Sequence, residues 1–551
     1  MKTDIARRDF VIAMAAIPAA LGSLDSVMAA EAAASPTPAT PAARQAPAIV
    51  RPGQFDYVMA GAGHNSLACA AYLARAGYRV AVLEAQPLIG GGVQTAELIL
   101  PGFKTDVCSS AHVGILRNPM LARNELKLGD YGYELIRPEV VVHVPFADGS
   151  SITVYENDVQ RTAETIARFS AEDAQAFKRL YAMRAKLSGM TPAQRTQTRE
   201  GIYFQRISML SGFDACRQVW KSTQMQAASL SAGKFTGAPG SDLGTGDEAF
   251  TLLNMLAGRP MPRGGSGLLA QALARVIEAN HGVILTNKPV TRLLFKGDRC
   301  IGVECADQSS YLAEKAVVST LHPKQLVEMA PRDLWAQNFL DDVDVMQPEA
   351  AMFAFYFALS EMPKYRGSVG DVLSPEAAIM ARPESIFTLD ADQARGEVTL
   401  DDLPLQVVHP GVYDTSRAPE GQCDLKIEGM MPYALREGAP HWDVIKSEVA
   451  ARVLSRYLAH TTNLTSEKVI GTYLASPLDI ERKNPAMWRG GVHHLDRRWG
   501  VSVPYRLSIA GLYQTGASTE GGGGVSGQPG RAAASLILQD QGRTLEQVVG
   551  T

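Results

Sequence analysis

The chain has 551 residues, of which 46% are hydrophobic and 20% are charged. This length exceeds what one small core requires and predicts two domains that share the chain. The formal net charge of −4, without any run of lysine and arginine, gives no electrostatic basis for a nucleic-acid partner.

The first thirty residues have the features of an export signal. Arg7-Arg8 precedes a short apolar run, and Val27-Met28-Ala29 is a small-residue cleavage pattern. ARRDFVIA resembles the bacterial twin-arginine signal, which directs folded proteins to the twin-arginine translocation machinery. We predict a signal peptide over 1–30, a disordered Ala/Pro linker over 31–52 and a periplasmic protein. The alternative is an apolar N-terminus that is not a signal.

The stretch 55–84 predicts a strand, a glycine turn, an alanine-rich helix and a second strand that ends at an acid. Gly63 allows the backbone to approach a pyrophosphate at the helix N-terminus, and Glu84 stands where a ribose-binding acid belongs. Ser66 replaces the usual third glycine and is small enough for close packing. This pattern favours a dinucleotide site over a purely structural unit. The predicted contacts in the turn are Gly61, Gly63, His64, Asn65 and Ser66.

Three further glycines, Gly90 to Gly92, arrive directly after the acid. An NAD fold does not need a second close backbone approach at this point, whereas FAD enzymes of the glutathione-reductase and amine-oxidase type use one. The alternative is a flexible surface turn. The predicted FAD contacts here are Glu84, Ala85, Gly91, Gly92 and Val93.

Short strands are predicted between 283 and 318, after a helix over 268–280. In this topology the small sheet returns to the nucleotide domain and places Val290 near the adenine. The glycine-rich segment 263–267 has no apolar strand directly before it, so we expect one dinucleotide site and not two.

Near the C-terminus, a short strand ending at Tyr513 leads into a glycine-rich loop and a helix that begins at Gly530. Glycines before a helix N-terminus suit an anionic or carbonyl-rich ligand edge. One FAD that crosses the domain would explain both distant glycine loops. The predicted contacts in this loop are Gly516, Gly523, Gly524 and Val525.

Several segments resemble the phytoene desaturase-like FAD-dependent oxidoreductases, in the branch with the pyridine nucleotide-disulfide oxidoreductase domain-containing proteins. The resemblance covers roughly 55–545. The segments are VMAGAGH…LIGGG (58–92), LPGFKTDVCSSAHVGILRNP (100–119), MPRGGSG…STLHP (261–323), NPAMWRGGVHH (484–494) and IAGLYQTGASTEGGGGVSGQPGRAAA (509–534).

The resemblance implies an α/β fold, α+β overall, with a Rossmann-like FAD domain of the glutathione-reductase/amine-oxidase type and an interleaved substrate domain. We assign 53–108, 261–330 and 481–545 to the FAD domain, and 109–260 and 331–480 to the substrate domain. Within the latter, the apolar spacing over 158–187 is helical, and 351–359 and 444–460 predict a strand and a helix.

The six cysteines form no CxxC motif, and there is no His-rich spacing, so we predict no metal site. No cysteine follows Cys423, which favours non-covalent FAD. The family resemblance places His493-His494 close to the flavin, as candidates for substrate orientation or proton handling. Arg489 and Glu520 are similarly placed. A structural role is the alternative for each of these four residues.

The function that follows is a dehydrogenase or desaturase that transfers hydride from an apolar or amphipathic organic substrate to FAD. No NAD(P)H site is visible, so net oxidation of the substrate is favoured, with oxygen or a quinone as the electron acceptor. The alternatives are an amine or alcohol oxidase of the same topology, or a flavin-binding interaction protein without turnover. The oligomeric state stays open, a homo-oligomer included.

Overall fold

The computed structural model describes residues 55–236, 239–347, 351–366, 374, 376–379, 382–492 and 503–550. The predicted signal and linker, and His493 and His494, lie outside these described residues. Within the described ranges, no helix combines the length and the apolar character needed to cross a bilayer.

One large sheet has a parallel centre. The strand Phe55–Ala60 lies between Val80–Leu83 and Ser310–Ser319, and both neighbours run parallel to it. Val283–Leu285 and Leu512–Gln514 continue the sheet as parallel strands on its two sides. Val290–Lys296 and Arg299–Cys305 extend it as antiparallel strands. Short runs rich in β-branched residues favour such strands. Its seven strands are Phe55–Ala60, Val80–Leu83, Val283–Leu285, Val290–Lys296, Arg299–Cys305, Ser310–Ser319 and Leu512–Gln514.

Three helices pack against this sheet and its first strand–helix unit: His64–Arg75, Gly267–Ala279 and Gln528–Asp540. The first helix begins at His64, because Gly63 is its N-cap. Gly530 allows the last helix to approach the first, since an added Cβ there would lie 2.2 Å from the Asn65 carbonyl oxygen.

The second large sheet is mixed and also has seven strands. The strand Ala351–Leu359 is as predicted, and it lies between Val469–Ala475 and Cys423–Met431 in antiparallel register. The other strands continue from the latter edge. The full set is Val140–Pro145, Ser151–Tyr155, Ala351–Leu359, Glu376–Ile379, Leu405–Val408, Cys423–Met431 and Val469–Ala475. Two two-stranded sheets pair Thr95–Ala96 with Thr105–Asp106 and Leu135–Ile136 with Met261–Pro262.

Helices surround the second sheet. The stretch 158–187, which has helical spacing throughout, forms two helices, because Ser170 is extended and its hydroxyl caps the second one at Asp173 N, 3.0 Å away. The helix predicted over 444–460 spans Trp442–Leu458. The other α-helices of the described residues, in both halves, are Pro119–Ala122, Val159–Ala167, Ala171–Lys186, Pro192–Arg195, Arg199–Ser208, Gly212–Val219, Thr223–Gly233, Thr251–Met255, Pro323–Leu326, Gln337–Val345, Ser385–Ala394, Pro477–Lys483 and Leu545–Val549.

A buried ion pair connects the two halves of the molecule. Arg417 Nη2 lies 2.9 Å from Asp106 Oδ2 and 3.9 Å from Asp424 Oδ2, and all three side chains are at most 2% exposed. Asp106 also accepts hydrogen bonds from Thr95 and from the Ser266 backbone N–H, each at 2.8 Å. Burial opposes ionisation of Asp106, but Arg417 and these donors hold its pKa below the ordinary value.

Replacing Arg417 with methionine should lower the free energy of unfolding by about 3–5 kcal/mol, because Asp106 would keep its charge in a buried place without a partner. Urea denaturation followed by far-UV circular dichroism measures the loss. Arg292→Met is the matched control, since that exposed arginine pairs with Glu304 at the surface and should cost less than about 1 kcal/mol. Equal losses in both variants would contradict the assigned role of Arg417.

Candidate functional site

A cavity of about 650 Å³ is lined by residues of both large sheets and the loops at their edges. The predicted cofactor contacts that line it are Gly61, Gly63, His64, Asn65, Ser66, Glu84, Ala85, Gly91, Gly92, Val290, Gly516, Gly524 and Val525. Val93 and Gly523 do not line it. The chain therefore brings all three glycine-rich segments and the strand at Val290 to one cavity.

The first glycine turn leaves room for a ligand at the start of the helix. Gly61 has φ +104°, which only glycine adopts readily, and a Cβ at Gly63 would meet no atom within 4 Å. The helix His64–Arg75 has no side-chain cap at its N-terminus, so its first N–H groups and dipole remain available to an anion. Asn65 Oδ1 and Ser66 Oγ are buried without a hydrogen-bond partner among the described residues, as a ligand-contacting pair would be.

Two backbone N–H groups, one in the first glycine turn and one just after Glu84, hold the Glu84 side chain in place. Its carboxylate accepts hydrogen bonds from Ala62 N and Gln86 N, each at 2.9 Å. Burial raises the pKa of Glu84, and these N–H donors oppose that rise. Two carboxylate oxygens offer about four acceptor sites, so the side chain can still accept from a diol.

The second glycine turn lies directly against the first. Gly90 forms an isolated bridge with Gly63, and its N–H donates to Ala62 O at 2.8 Å. Val93 closes this turn by donating to Gly90 O at 3.1 Å, and its side chain is completely buried in the core. Val93 is thus a packing residue next to the cavity wall.

The C-terminal loop meets the first turn through His64. Burial lowers the pKa of His64 to about 4, although a hydrogen bond to the Gly524 backbone favours the protonated ring. A Cβ at Gly524, where φ is +141°, would meet no atom within 4 Å, so the loop has open space at this point of the cavity. His64 joins the two loops as a neutral side chain.

The opposite half of the cavity is one face of the second sheet. Along Cys423–Met431, Leu425 and Ile427 enter the hydrophobic core, whereas Glu428 and Met430 line the cavity. We did not predict this wall, although the alternation of apolar and charged residues in CDLKIEGMM is a period-two signal for such a strand. The lining residues on this side include Phe235, Arg259, Met352, Tyr356, Glu376, Gln406, Glu428, Met430, Tyr473, Ile480 and Met487.

Ionisable side chains in this half are paired. Arg259 Nε lies 2.5 Å from Glu376 Oε2, and Lys426 Nζ lies 2.8 Å from Glu428 Oε2. Burial raises the pKa of Glu376, while Arg259 opposes the rise. Cys108 also lines the cavity, and burial raises the pKa of its thiol to about 11, so the thiol is protonated at neutral pH.

Two of the four catalytic candidates, Arg489 and Glu520, lie among the described residues, and neither lines the cavity. Arg489 has φ +52°, and its guanidinium lies 4.7 Å from the centre of the Trp488 ring. Glu520 is exposed, and its backbone oxygen accepts from Tyr505 OH at 2.6 Å. A catalytic role for Arg489 or Glu520 stays a prediction. His493 and His494 lie outside the described residues. Among the described residues, no cluster of His, Cys, Asp and Glu could hold a metal ion.

Proteins of similar sequence include a dehydrogenase and a desaturase. The chain is 25% identical to one of the subunits of limonene dehydrogenase from Castellaniella defragrans, over 89% of its own length and 95% of that protein. It is 24% identical to the rat pyridine nucleotide-disulfide oxidoreductase domain-containing protein 2, over 88% of its own length and 94% of that protein. It is 23% identical to the lycopene-forming phytoene desaturase of Pantoea ananas, covering 87% and 98%.

The solved structure of putrescine oxidase bound to putrescine has the same fold, with a TM-score of 0.58 at 12% identity over 88% of this chain and 99% of that one. The model of the flavin-containing amine oxidoreductase family matches residues 67–360. This match covers most of the first helix and strands from both large sheets. The chain therefore belongs to the flavin-containing amine oxidoreductase family and is a flavin-dependent oxidoreductase of the phytoene desaturase-like type.

Proposed function

We propose that the flavin is non-covalently bound FAD and that the protein oxidises an apolar or amphipathic organic substrate as a dehydrogenase or desaturase. The observation that carries the proposal is one continuous cavity with glycine-rich loops in one half and the second sheet in the other. A bound dinucleotide in the first half leaves the second half for the substrate, as in other sites formed between domains.

The residues in the first half fit FAD chemically. Glu84 offers acceptors for the adenosine ribose, and the helix N-terminus beyond Gly63 suits the pyrophosphate. The loop at Gly524 and Val525 suits the flavin end, because open space beside its backbone admits a planar ring. Flavin supplies the hydride acceptor. The protein's own task is to bind the substrate, orient its C–H bond and exclude water.

The second half supports an apolar or amphipathic substrate. Met352, Met430, Ile480 and Met487 belong to one buried apolar cluster and line the cavity. Methionines adapt to irregular ligands. Oxidation of an amine or alcohol is the second candidate, and the charged pair Arg259–Glu376 in the same half favours it. The electron acceptor would be oxygen or a quinone.

Anaerobic mixing with substrate tests the reaction. A dehydrogenase substrate should bleach the visible flavin band of the purified holoprotein, because two electrons enter the ring, and oxygen or a soluble quinone should restore it. Panels of apolar hydrocarbons, alcohols and amines distinguish the two candidate reactions. A tightly bound flavin that no member of the panels reduces would overturn the enzymatic proposal and favour a flavin-binding interaction protein.

Substitution at Gly63 tests where the cofactor lies. Gly63→Ala should raise the dissociation constant of FAD at least about tenfold, because the new methyl group enters the space assigned to the pyrophosphate, while its φ of −63° suits alanine. Gly129→Ala is the matched control, since its Cβ also meets no atom within 4 Å but lies away from the cavity lining. Fluorescence titration of the apoproteins measures both. Equal FAD affinity in both variants would remove the pyrophosphate from this turn.

Non-covalent attachment predicts that acid denaturation releases all the flavin into the supernatant. Cys108 is the cysteine that lines the cavity in the described part of the chain, and its protonated thiol is a poor nucleophile. Cys108→Ser should therefore leave the amount of released flavin unchanged, as absorbance of the supernatant would measure. Yellow colour that stays with the precipitated wild-type chain, and is lost in Cys108→Ser, would contradict the prediction.

Export by the twin-arginine route is tested with the full-length precursor. Arg7→Lys combined with Arg8→Lys should leave the precursor in the cytoplasm with its flavin bound, because that pathway reads the twin arginine and carries folded cargo. Arg44→Lys combined with Arg51→Lys is the control, which should still reach the periplasm. Cell fractionation and immunoblotting measure both. Periplasmic recovery of the first variant would exclude this route.

A further inference from the structure

Five polar side chains form a row at the substrate half of the cavity; four of them line it, and the fifth, Lys426, pairs with one of these four. Arg259 pairs with Glu376, and Gln406 Nε2 donates to Glu376 Oε1 at 2.7 Å. Gln406 faces Glu428 in the register of adjacent strands, and Glu428 pairs with Lys426. We call these five residues, Arg259, Glu376, Gln406, Lys426 and Glu428, the polar strip.

The polar strip is largely buried and formally neutral. Its two cations and two anions are matched in pairs, and the exposed fractions of these side chains range from 4% for Lys426 to 25% for Arg259. The ammonium of Lys426 also donates to the Cys108 carbonyl oxygen. Because every charge has a partner, an ionic group entering the cavity would add an uncompensated charge to a desolvated site, which is costly.

Some polar atoms of the strip have no hydrogen-bond partner in the described part of the chain. Glu376 uses both carboxylate oxygens, and Lys426 is held by Glu428 and a carbonyl group. Within the described part of the chain, Gln406 Oε1, Glu428 Oε1 and the terminal nitrogens of Arg259 make no hydrogen bond. Donation by Gln406 to a carboxylate fixes its amide orientation, so the remaining oxygen is an acceptor.

The strip therefore offers acceptors and a donor along the cavity lining. A hydroxyl group can donate to the Gln406 or Glu428 oxygen or accept from Arg259, without bringing a net charge. A hydrocarbon would leave these polar atoms unsatisfied when it displaced water, and each such loss is unfavourable. The neighbouring methionines and Ile480 provide apolar surface for the rest of the substrate.

We propose that the polar strip is a binding subsite for a neutral hydroxyl group on an otherwise apolar substrate. This inference rests on the proposed function, because it assigns the substrate half of the same cavity. Gln406 and Glu428 act as positioning residues that fix one end of the substrate. The apolar skeleton then extends over the methionine-lined surface within the cavity.

The test uses four probes that share an eight-carbon chain and differ only in the head group: octane, 1-octanol, octanoate and octylamine. Titration of the holoprotein, followed by the perturbation of the visible flavin spectrum, gives a dissociation constant for each. We expect 1-octanol to bind at least about tenfold more tightly than octane and more tightly than either charged probe. Equal binding of octane, tighter binding of a charged probe, or no saturable binding of any probe would overturn the subsite.

Variants then locate the preference. Gln406→Leu removes an acceptor but keeps the Arg259–Glu376 pair, so the preference for 1-octanol over octane should fall to less than about threefold, with octane bound as before. Glu428→Gln preserves an acceptor for Lys426 and provides a second variant if the first folds poorly. Met430→Leu, in the apolar surface of the same cavity, should change the affinity for both probes alike. An unchanged preference in both Gln406→Leu and Glu428→Gln would overturn the assignment.

These outcomes are separable from those for the proposed function. Flavin that is bleached by a substrate, in a protein without head-group preference, would overturn the subsite alone. A clear preference for 1-octanol, in a protein whose flavin no candidate substrate reduces, would overturn the proposed enzymatic reaction but not the subsite.

Discussion

The buried ion pair between Arg417 and Asp106 is the contact that ties the two halves of the molecule together beside the cavity. Arg417 precedes the strand Cys423–Met431 of the second sheet, and Asp106 lies in the hairpin that packs on the helix Gly267–Ala279 of the first half. Beside it, Lys104 N donates to the Arg417 carbonyl oxygen and Arg417 Nε donates to the Lys104 carbonyl oxygen, each at 2.8 Å. Because a buried charge pair requires good geometry, this contact holds the hairpin against the second sheet, next to the cavity that both halves line.

The cavity that results has two chemically different halves. In the half with the glycine-rich loops, Gly63 and Gly524 leave their Cβ positions open beside backbone N–H groups. In the other half, side chains on a sheet line the cavity, and strand register sets the spacing of Gln406 and Glu428. The proposed function therefore assigns cofactor binding mainly to backbone and substrate binding mainly to side chains.

Electrostatic balance is maintained in each half by a different means. Glu84 is satisfied by backbone donors, whereas the buried carboxylates of the second sheet have arginine or lysine partners. His64 remains neutral because burial disfavours its charged form. No acid–base group therefore stands out as a proton donor at neutral pH among these residues, which agrees with a reaction whose hard step belongs to the flavin.

The sequence by itself determined the features that depend on near neighbours. The strand–turn–helix–strand unit around Gly61 and Glu84 lies within about thirty residues, and the strand Ala351–Leu359 is apolar along its whole length. Local hydrophobic periodicity was therefore enough to predict both elements. The family resemblance added the flavin. The twin-arginine signal and the roles of His493 and His494 stay predictions, because they lie outside the described residues.

Only the tertiary structure decided which distant residues meet. The polar strip joins Arg259 to strands more than a hundred residues later, and His64 meets Gly524 across most of the chain. The same applies to Arg489 and Glu520, which are near the cofactor loops in sequence but do not line the cavity. Such pairings depend on strand order and register in the two sheets, and local hydrophobic periodicity carries no information about either.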